Sequence, residues 1–170
     1  MLRQVVFSHG KESGPWGTKI VALAELATAA GHGVASIDYQ GIDAPEARVQ
    51  RLLEHCKEHC DQPILVGSSM GGHVAAAASR QVRAAGLFLM APAFYMLGYE
   101  ALTPIPATCP ITIVHGWRDD IVPVENSVRY AQTYRATLHL MNADHRMQEQ
   151  IPEICAQFQL FLRACNDRFI

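Results

Sequence analysis

Apolar residues gather in short unbroken runs that alternate with longer stretches of helical spacing. Gln4-Val-Val-Phe-Ser8 is the first run and ends at His9-Gly10. From Trp16 to Ala30, the residues Ile20, Leu23, Ala24 and Ala27 share one helical face, and Gly31 follows as a stop. Gly33–Ile37 predicts a second strand, with Asp38 at its end. Ala44–Cys60 predicts a helix carrying Pro45 in its first turn, where a missing N–H costs nothing. Pro63–Gly67 reads as a strand and Met70–Arg83 as an alanine-rich helix. Gly86–Met90 and Pro110–His115 are further strands, and Val124–Tyr134 is a helix. Ala136–Met141 is a sixth strand, and Gln148–Cys165 a closing helix.

Strands that are apolar throughout are buried on both faces, as in a parallel sheet covered by helices. Parallel strands need crossovers, and here the crossovers are mostly helical. The expected fold class is α/β: a three-layer α/β/α sandwich with a mostly parallel sheet of about six strands. No repeat, linker or low-complexity tract divides the chain, so residues 1–170 read as one domain. One stretch breaks the rhythm. Ala91–Cys109 contains Pro92, Gly98, Pro104 and Pro106 and has no clear period. A long connection of that kind at the strand C-terminal ends is a candidate lid or pocket wall.

Composition narrows the function classes. The chain is 49% hydrophobic, an ordinary value for a globular protein. With 14 basic against 16 acidic residues, it carries no electrostatic signature of nucleic-acid binding and no basic membrane-surface face. The longest uncharged run, Ala84–Tyr99, is shorter than the ~20 residues a spanning helix needs, and Gly86, Pro92 and Gly98 interrupt it. The apolar stretch at the N-terminus is too short for a signal peptide. Five cysteines, an odd number without a secreted spacing pattern, read as free thiols of a cytoplasmic protein.

Gly67-Ser68-Ser69-Met70-Gly71 matches the nucleophile elbow G-x-S-x-G, with a strand leading in and a small-residue helix leading out. The turn must be tight enough to lift Ser69 into a strained conformation, so residues two positions either side must lack bulk. The following helix aims its N-terminal amides at the site and favours developing negative charge. A serine needs a base. His145, in Asn142-Ala-Asp-His145, lies between the last strand and the last helix, at the same sheet edge as Ser69. The acid is expected between them, and His115-Gly-Trp-Arg-Asp119-Asp120-Ile-Val-Pro123 supplies it directly after the fifth strand. Elementary chemistry does not separate Asp119 from Asp120. The Met70 amide, next after the nucleophile, is one expected oxyanion donor. A second is due from the loop His9-Gly10-Lys11.

With these motifs on the page, the chain resembles a small member of the α/β-hydrolase superfamily. It is most similar to compact bacterial hydrolases of the dienelactone-hydrolase-like and Tex30/KANL3-like kind. The matching pieces are Ser8-His9-Gly10 with Glu12-Ser13-Gly14-Pro15, then Gly67–Gly71, then His115–Asp119 with Val122-Pro123, then Asp144-His145. The resemblance implies an α/β-hydrolase fold without its first two strands and without a cap domain, leaving an open cleft. It points to Asp119 as the acid, three residues before a Val-Pro pair. It also assigns the second oxyanion amide to Lys11 and a structural role to His9. The chain departs from dienelactone hydrolases in carrying Ser69 where they use cysteine.

Other signals carry less. Tyr95, Met96, Leu97 and Tyr99 read either as a loop tucked onto the core or as an acyl-binding wall, and Met147 as a lining residue of the same cleft. His55, Cys56, His59 and Cys60 pair at helical spacing, but no second cluster converges on them, so no metal is expected. His73 reads as helix packing. The expected protein is a serine hydrolase of a small-molecule ester or thioester. It needs no cofactor and has no nucleic-acid or membrane partner. The rival is a non-catalytic binding or scaffold protein on the same fold. Esterase, thioesterase and peptidase would use the same three residues.

Overall fold

The computed structural model describes residues 2–166. The strands are β1 (Val5–Ser8), β2 (Val34–Ile37), β3 (Ile64–Ser68), β4 (Gly86–Met90), β5 (Ile111–Gly116) and β6 (Thr137–Met141). The helices between and after them are α1 (Thr18–Ala29), α2 (Pro45–His59), α3 (Met70–Ser79), α4 (Val124–Tyr134) and α5 (Ile151–Asn166). All pairings are parallel and the sheet order is β2-β1-β3-β4-β5-β6. This is the six-stranded sandwich expected from the alternation, with no cap inserted among the described residues.

The unbroken apolar runs are explained by two cores, one on each sheet face. Val5, Phe7, Ile64, Val66, Phe88 and Val114 point toward α1 and α5. Val6, Leu65, Leu87, Leu89 and Ile113 point the other way, toward α2, α3 and α4. Alternate residues of each strand serve opposite cores, so neither face tolerates polarity. The edge strands β2 and β6 are only half buried along most of their length.

The order also fixes where a site forms. The chain leaves β1 for the β2 edge, then returns to place β3 on the other side of β1. The helix after β1 packs on one face and the helix after β3 on the other. Loops that part in this way open a crevice at the strand C-terminal ends. His9-Gly10-Lys11 and Ser69 lie in the two loops that part here, directly after β1 and β3.

Two helix boundaries differ from the pattern. α3 stops at Ser79, not Arg83. The Ala84 amide closes back onto the Ser79 carbonyl, and Arg83 takes a left-handed φ of 51°, a stop made without glycine. The closing helix begins at Ile151 after a short 3₁₀ turn, Gln148–Gln150. Pro152 has no N–H to return to that turn, which places it in the first turn of α5.

Candidate active site

Ser69 is set by steric exclusion around it. Its φ and ψ are 54° and −119°, a region that a residue with a Cβ rarely occupies. The turn closes because its flanks are bare. A Cβ on Gly67 would lie 2.3 Å from the Gly71 carbonyl oxygen, and one on Gly71 would lie 1.9 Å from that of Ser8. The Ser69 amide donates to Met90 and its carbonyl accepts from Gly72 and Ala93, so the strained residue is tied on both sides.

The loop after β6 brings His145 over this turn. His145 Nε2 lies 3.1 Å from Ser69 Oγ, across 76 residues of sequence. The loop is fixed from several directions. Asp144 accepts the amides of Arg146 and Met147. Lys19 on α1 donates to the Arg146 carbonyl. Gly116 approaches so closely that a Cβ there would meet the Ala143 oxygen at 2.2 Å.

Asp119 completes the line. Its Oδ2 accepts His145 Nδ1 at 2.7 Å, and its Oδ1 accepts the amides of Ile121 and Val122 at 2.9 and 2.8 Å. With Nδ1–H given to the carboxylate, Nε2 is left to accept from the Ser69 hydroxyl. Burial pushes the Asp119 carboxyl up, but the donors from His115, His145, Val122 and Ile121 outweigh it and hold the group well below the usual carboxylate range. Asp120 faces solvent. The fourth N–H donor to the Asp119 carboxylate, His115, is a site residue that the sequence analysis does not single out. Its Nε2 lies 2.9 Å from Asp119 Oδ2. The available signal was a histidine at the buried end of an apolar strand, four residues before the acid.

On the opposite flank, Gly10 packs against the elbow, where its Cβ position is 3.5 Å from the Ser69 Cβ. Among the described residues, no backbone acceptor is bound to the amides of Lys11 or Met70. An uncommitted N–H on each flank of a serine is what an oxyanion requires. Both ring nitrogens of His9 are engaged elsewhere: its Nε2 accepts the Tyr39 amide at 2.9 Å and its Nδ1 donates to the Gly10 carbonyl at 2.7 Å.

Residues 5–162 match the profile of the alpha/beta hydrolase family. The chain belongs to this family. A crystal structure of a protein from Xanthomonas campestris pv. campestris, assigned to the α/β superfamily of hydrolases, is 33% identical with a TM-score of 0.88, over 95% of this chain and 98% of that one. The palmitoyl-protein thioesterase ABHD10 of Bos taurus, a mitochondrial protein, is 25% identical over 96% of this chain and 72% of its own length. A monoacylglycerol lipase from Paleococcus ferrophilus shares the fold at 17% identity, with a TM-score of 0.79 over 95% of this chain and 94% of its own.

In this α/β hydrolase the expected cleft residues separate. Met147 is a correction: it takes a left-handed φ of 50° after the Asp144 turn, which drops its side chain, 0% exposed, into the core beneath α1 and α5. It lines no open surface. Tyr95 is half buried and packs toward α4, with the Arg129 guanidinium 4.0 Å above its ring. The neighbouring Phe94 stacks on Tyr130 at 3.9 Å, so this part of the loop is tucked onto the core. Tyr99 stands 66% exposed. Cys56 faces inward and burial pushes its thiol up to about 12, while His59 is exposed. Among the described residues no three His, Cys, Asp or Glu side chains gather to hold a metal. No helix of the described residues is long and apolar enough to cross a membrane.

Proposed function

We propose that this α/β hydrolase is a serine hydrolase that cleaves a carboxylic ester or thioester of a small substrate through an acyl-enzyme. The observation that carries the reading is the continuous line from Ser69 Oγ to His145 Nε2 at 3.1 Å, and from His145 Nδ1 to Asp119 Oδ2 at 2.7 Å. His145 takes the Ser69 proton as the oxygen attacks the acyl carbon, and Asp119 holds the ring and stabilises the imidazolium. The Met70 and Lys11 amides receive the negative charge on the carbonyl oxygen. His145 then protonates the leaving alcohol or thiol. A water deprotonated by the same imidazole attacks the acyl-enzyme and releases the acid. No cofactor enters any step.

The relatives support both leaving groups, since one is named a thioesterase and a fold neighbour a monoacylglycerol lipase. The odd cysteine count and the five free thiols are in keeping with a reducing compartment, and the proposed setting is the cytoplasm.

A fluorophosphonate probe tests the reading. Covalent labelling of wild type but not of Ser69→Ala supports it, and an unlabelled wild type favours a non-catalytic scaffold. A panel of p-nitrophenyl esters and acyl-thioesters, run on the same pair, then gives the preferred leaving group.

A further inference from the structure

The loop after β1 rests on a charged group that none of the steps above uses. Arg48 lies on α2 and is 2% exposed. Its Nε donates to the Ile42 carbonyl at 2.6 Å, and its Nη1 reaches the carbonyl oxygens of His9 and Gly10, both at 3.3 Å. The guanidinium sits 5.3 Å from the centre of the Tyr39 ring. Among the described residues no carboxylate forms an ion pair with it. A guanidinium stays protonated, so this site holds a buried positive charge whose direct partners are carbonyl oxygens, with the Asp43 carboxylate acting on it from beyond ion-pair distance.

The oxygen it shares with His9 is the informative one. The Gly10 carbonyl and the Lys11 N–H belong to a single peptide unit, and no peptide bond of the described residues is cis. In a trans peptide the two groups point in opposite directions. The Gly10 oxygen is held by His9 Nδ1–H at 2.7 Å and by Arg48 Nη1–H at 3.3 Å. The His9 proton position is fixed in turn, because the Tyr39 amide occupies Nε2. Gly10 itself abuts the nucleophile turn, with its Cβ position 3.5 Å from both the Ser68 oxygen and the Ser69 Cβ. Pinning the oxygen on the α2 side therefore settles which way the amide faces. Two donors on a carbonyl also polarise the unit and make its N–H a stronger donor.

We propose that Arg48, with His9, is a positioning residue of the oxyanion hole: it clamps the Gly10 carbonyl so that the Lys11 amide faces the carbonyl oxygen of the ester bound at Ser69. Arg48 touches no reacting atom and acts through the peptide it holds. The inference rests on the serine-hydrolase reading and refines one part of it. The role differs from that of a buried packing residue in one respect: it bears on the charge that develops on oxygen, and not on binding of the ground state.

The test compares p-nitrophenyl acetate with its thionoester, whose sulfur accepts hydrogen bonds poorly. Wild type, Arg48→Met, Arg48→Lys and His9→Gln are assayed beside their thermal midpoints. Wild type is expected to prefer the oxygen ester strongly. In Arg48→Met that preference is expected to fall about 10-fold, through kcat and with little change in KM, a fraction of the ~10²–10³ that loss of a whole oxyanion donor costs. Arg48→Lys, which keeps the charge without the fork, is expected to recover part of it. Should Arg48→Met fail to fold, Arg48→Lys and His9→Gln carry the same comparison, each with a smaller fall. Equal losses on the two esters, or an unchanged preference in the folded variants, would overturn the proposal. A wild type that neither hydrolyses esters nor takes the fluorophosphonate label would instead remove the underlying function and leave the clamp's geometry intact.

Discussion

His115 Nε2 stands 2.9 Å from Asp119 Oδ2, and both side chains are fully out of solvent. The same nitrogen is 3.0 Å from the Val122 carbonyl, so both of its neighbours are acceptors and Nε2 carries the proton. Nδ1 faces the Ser127 hydroxyl at 2.7 Å. Asp119 thus receives two imidazole N–H groups on one oxygen and two backbone amides on the other. Such a carboxylate has its acceptor sites filled and no freedom to turn, and that fixes the single orientation in which it meets His145.

Replacing His115 by Phe keeps a ring in the cavity and removes that N–H. A hydrogen bond to a charged group contributes about 1.5–3 kcal/mol, which corresponds to at least about 10-fold in rate if all of it bears on orientation. The expected result is a kcat lower by about that factor with KM little changed, in a variant that circular dichroism shows to be folded. A kcat equal to wild type would mean that the backbone amides alone orient the acid.

The neighbouring carboxylates separate in the same assay. Asp119→Asn puts an amide where His145 requires an acceptor, and the histidine loses its tautomer, a defect that costs about 10⁴-fold in kcat in triad enzymes. Asp120 faces solvent, so Asp120→Asn is expected to leave kcat near wild type. The opposite ranking would reassign the acid.

The strands, their order of use and the nucleophile turn were legible because each follows from a local constraint. Val5–Phe7, Ile64–Val66 and Leu87–Leu89 are apolar at every position because both sheet faces are covered. The glycines at 67 and 71 are required by contacts under 2.5 Å. The meeting of Ser69, Asp119 and His145 followed from chain order and the shared strand edge. What escaped depends on contacts distant in sequence. Arg48 falls on the buried stripe of α2 with Leu52 and Cys56, and its partners lie in a loop 38 and 39 residues away. The descent of Met147 into the core depends on one left-handed residue after a side-chain-capped turn, and no periodicity encodes it.

Gly71→Ala tests the packing beneath the elbow. Its Cβ would meet the Ser8 carbonyl oxygen at 1.9 Å and the His9 oxygen at 2.7 Å, both backbone atoms that cannot swing aside. Accommodating it means parting α3 from β1, and the expected loss is at least about 3 kcal/mol, above the usual range for overpacking. Denaturant titration of purified Gly71→Ala checks this, and a midpoint within error of wild type would contradict the geometry.

Ser69 stores strain that its own substitution can read. Ala and Gly both lack the hydroxyl and abolish the proposed reaction, yet only Ala keeps a Cβ at φ 54°. Ser69→Gly is therefore expected to be more stable than Ser69→Ala by about 1 kcal/mol, since strain of ~1–3 kcal/mol is relieved and part of the gain is offset by the greater freedom of glycine in the unfolded chain. Paired thermal melts at one pH give the difference directly. A more stable Ser69→Ala would mean that the turn is not strained.

The pH dependence of stability is set in part by His9. Its pKa is lowered from 6.5 chiefly by burial and also by the Arg48 charge, against the opposing pull of the Gly10 carbonyl and Asp38. Protonation would place a second N–H on Nε2, directly against the Tyr39 amide that now donates to it. Between 6.5 and the lower native value, the unfolded chain binds a proton that the native state does not. The stabilisation is therefore fully present above that upper value and drains away as the solution is acidified, with a slope of up to about 1.4 kcal/mol per pH unit for one proton. Burial lowers His73 and His55 as well, so they add to the same slope. His9→Gln removes one titrating group and keeps an acceptor for the Tyr39 amide. Its thermal midpoint is expected to fall less steeply than wild type between pH 6.5 and 5. Parallel curves for the two proteins would show that the imidazole of His9 takes up its proton as readily in the native state as in the unfolded one.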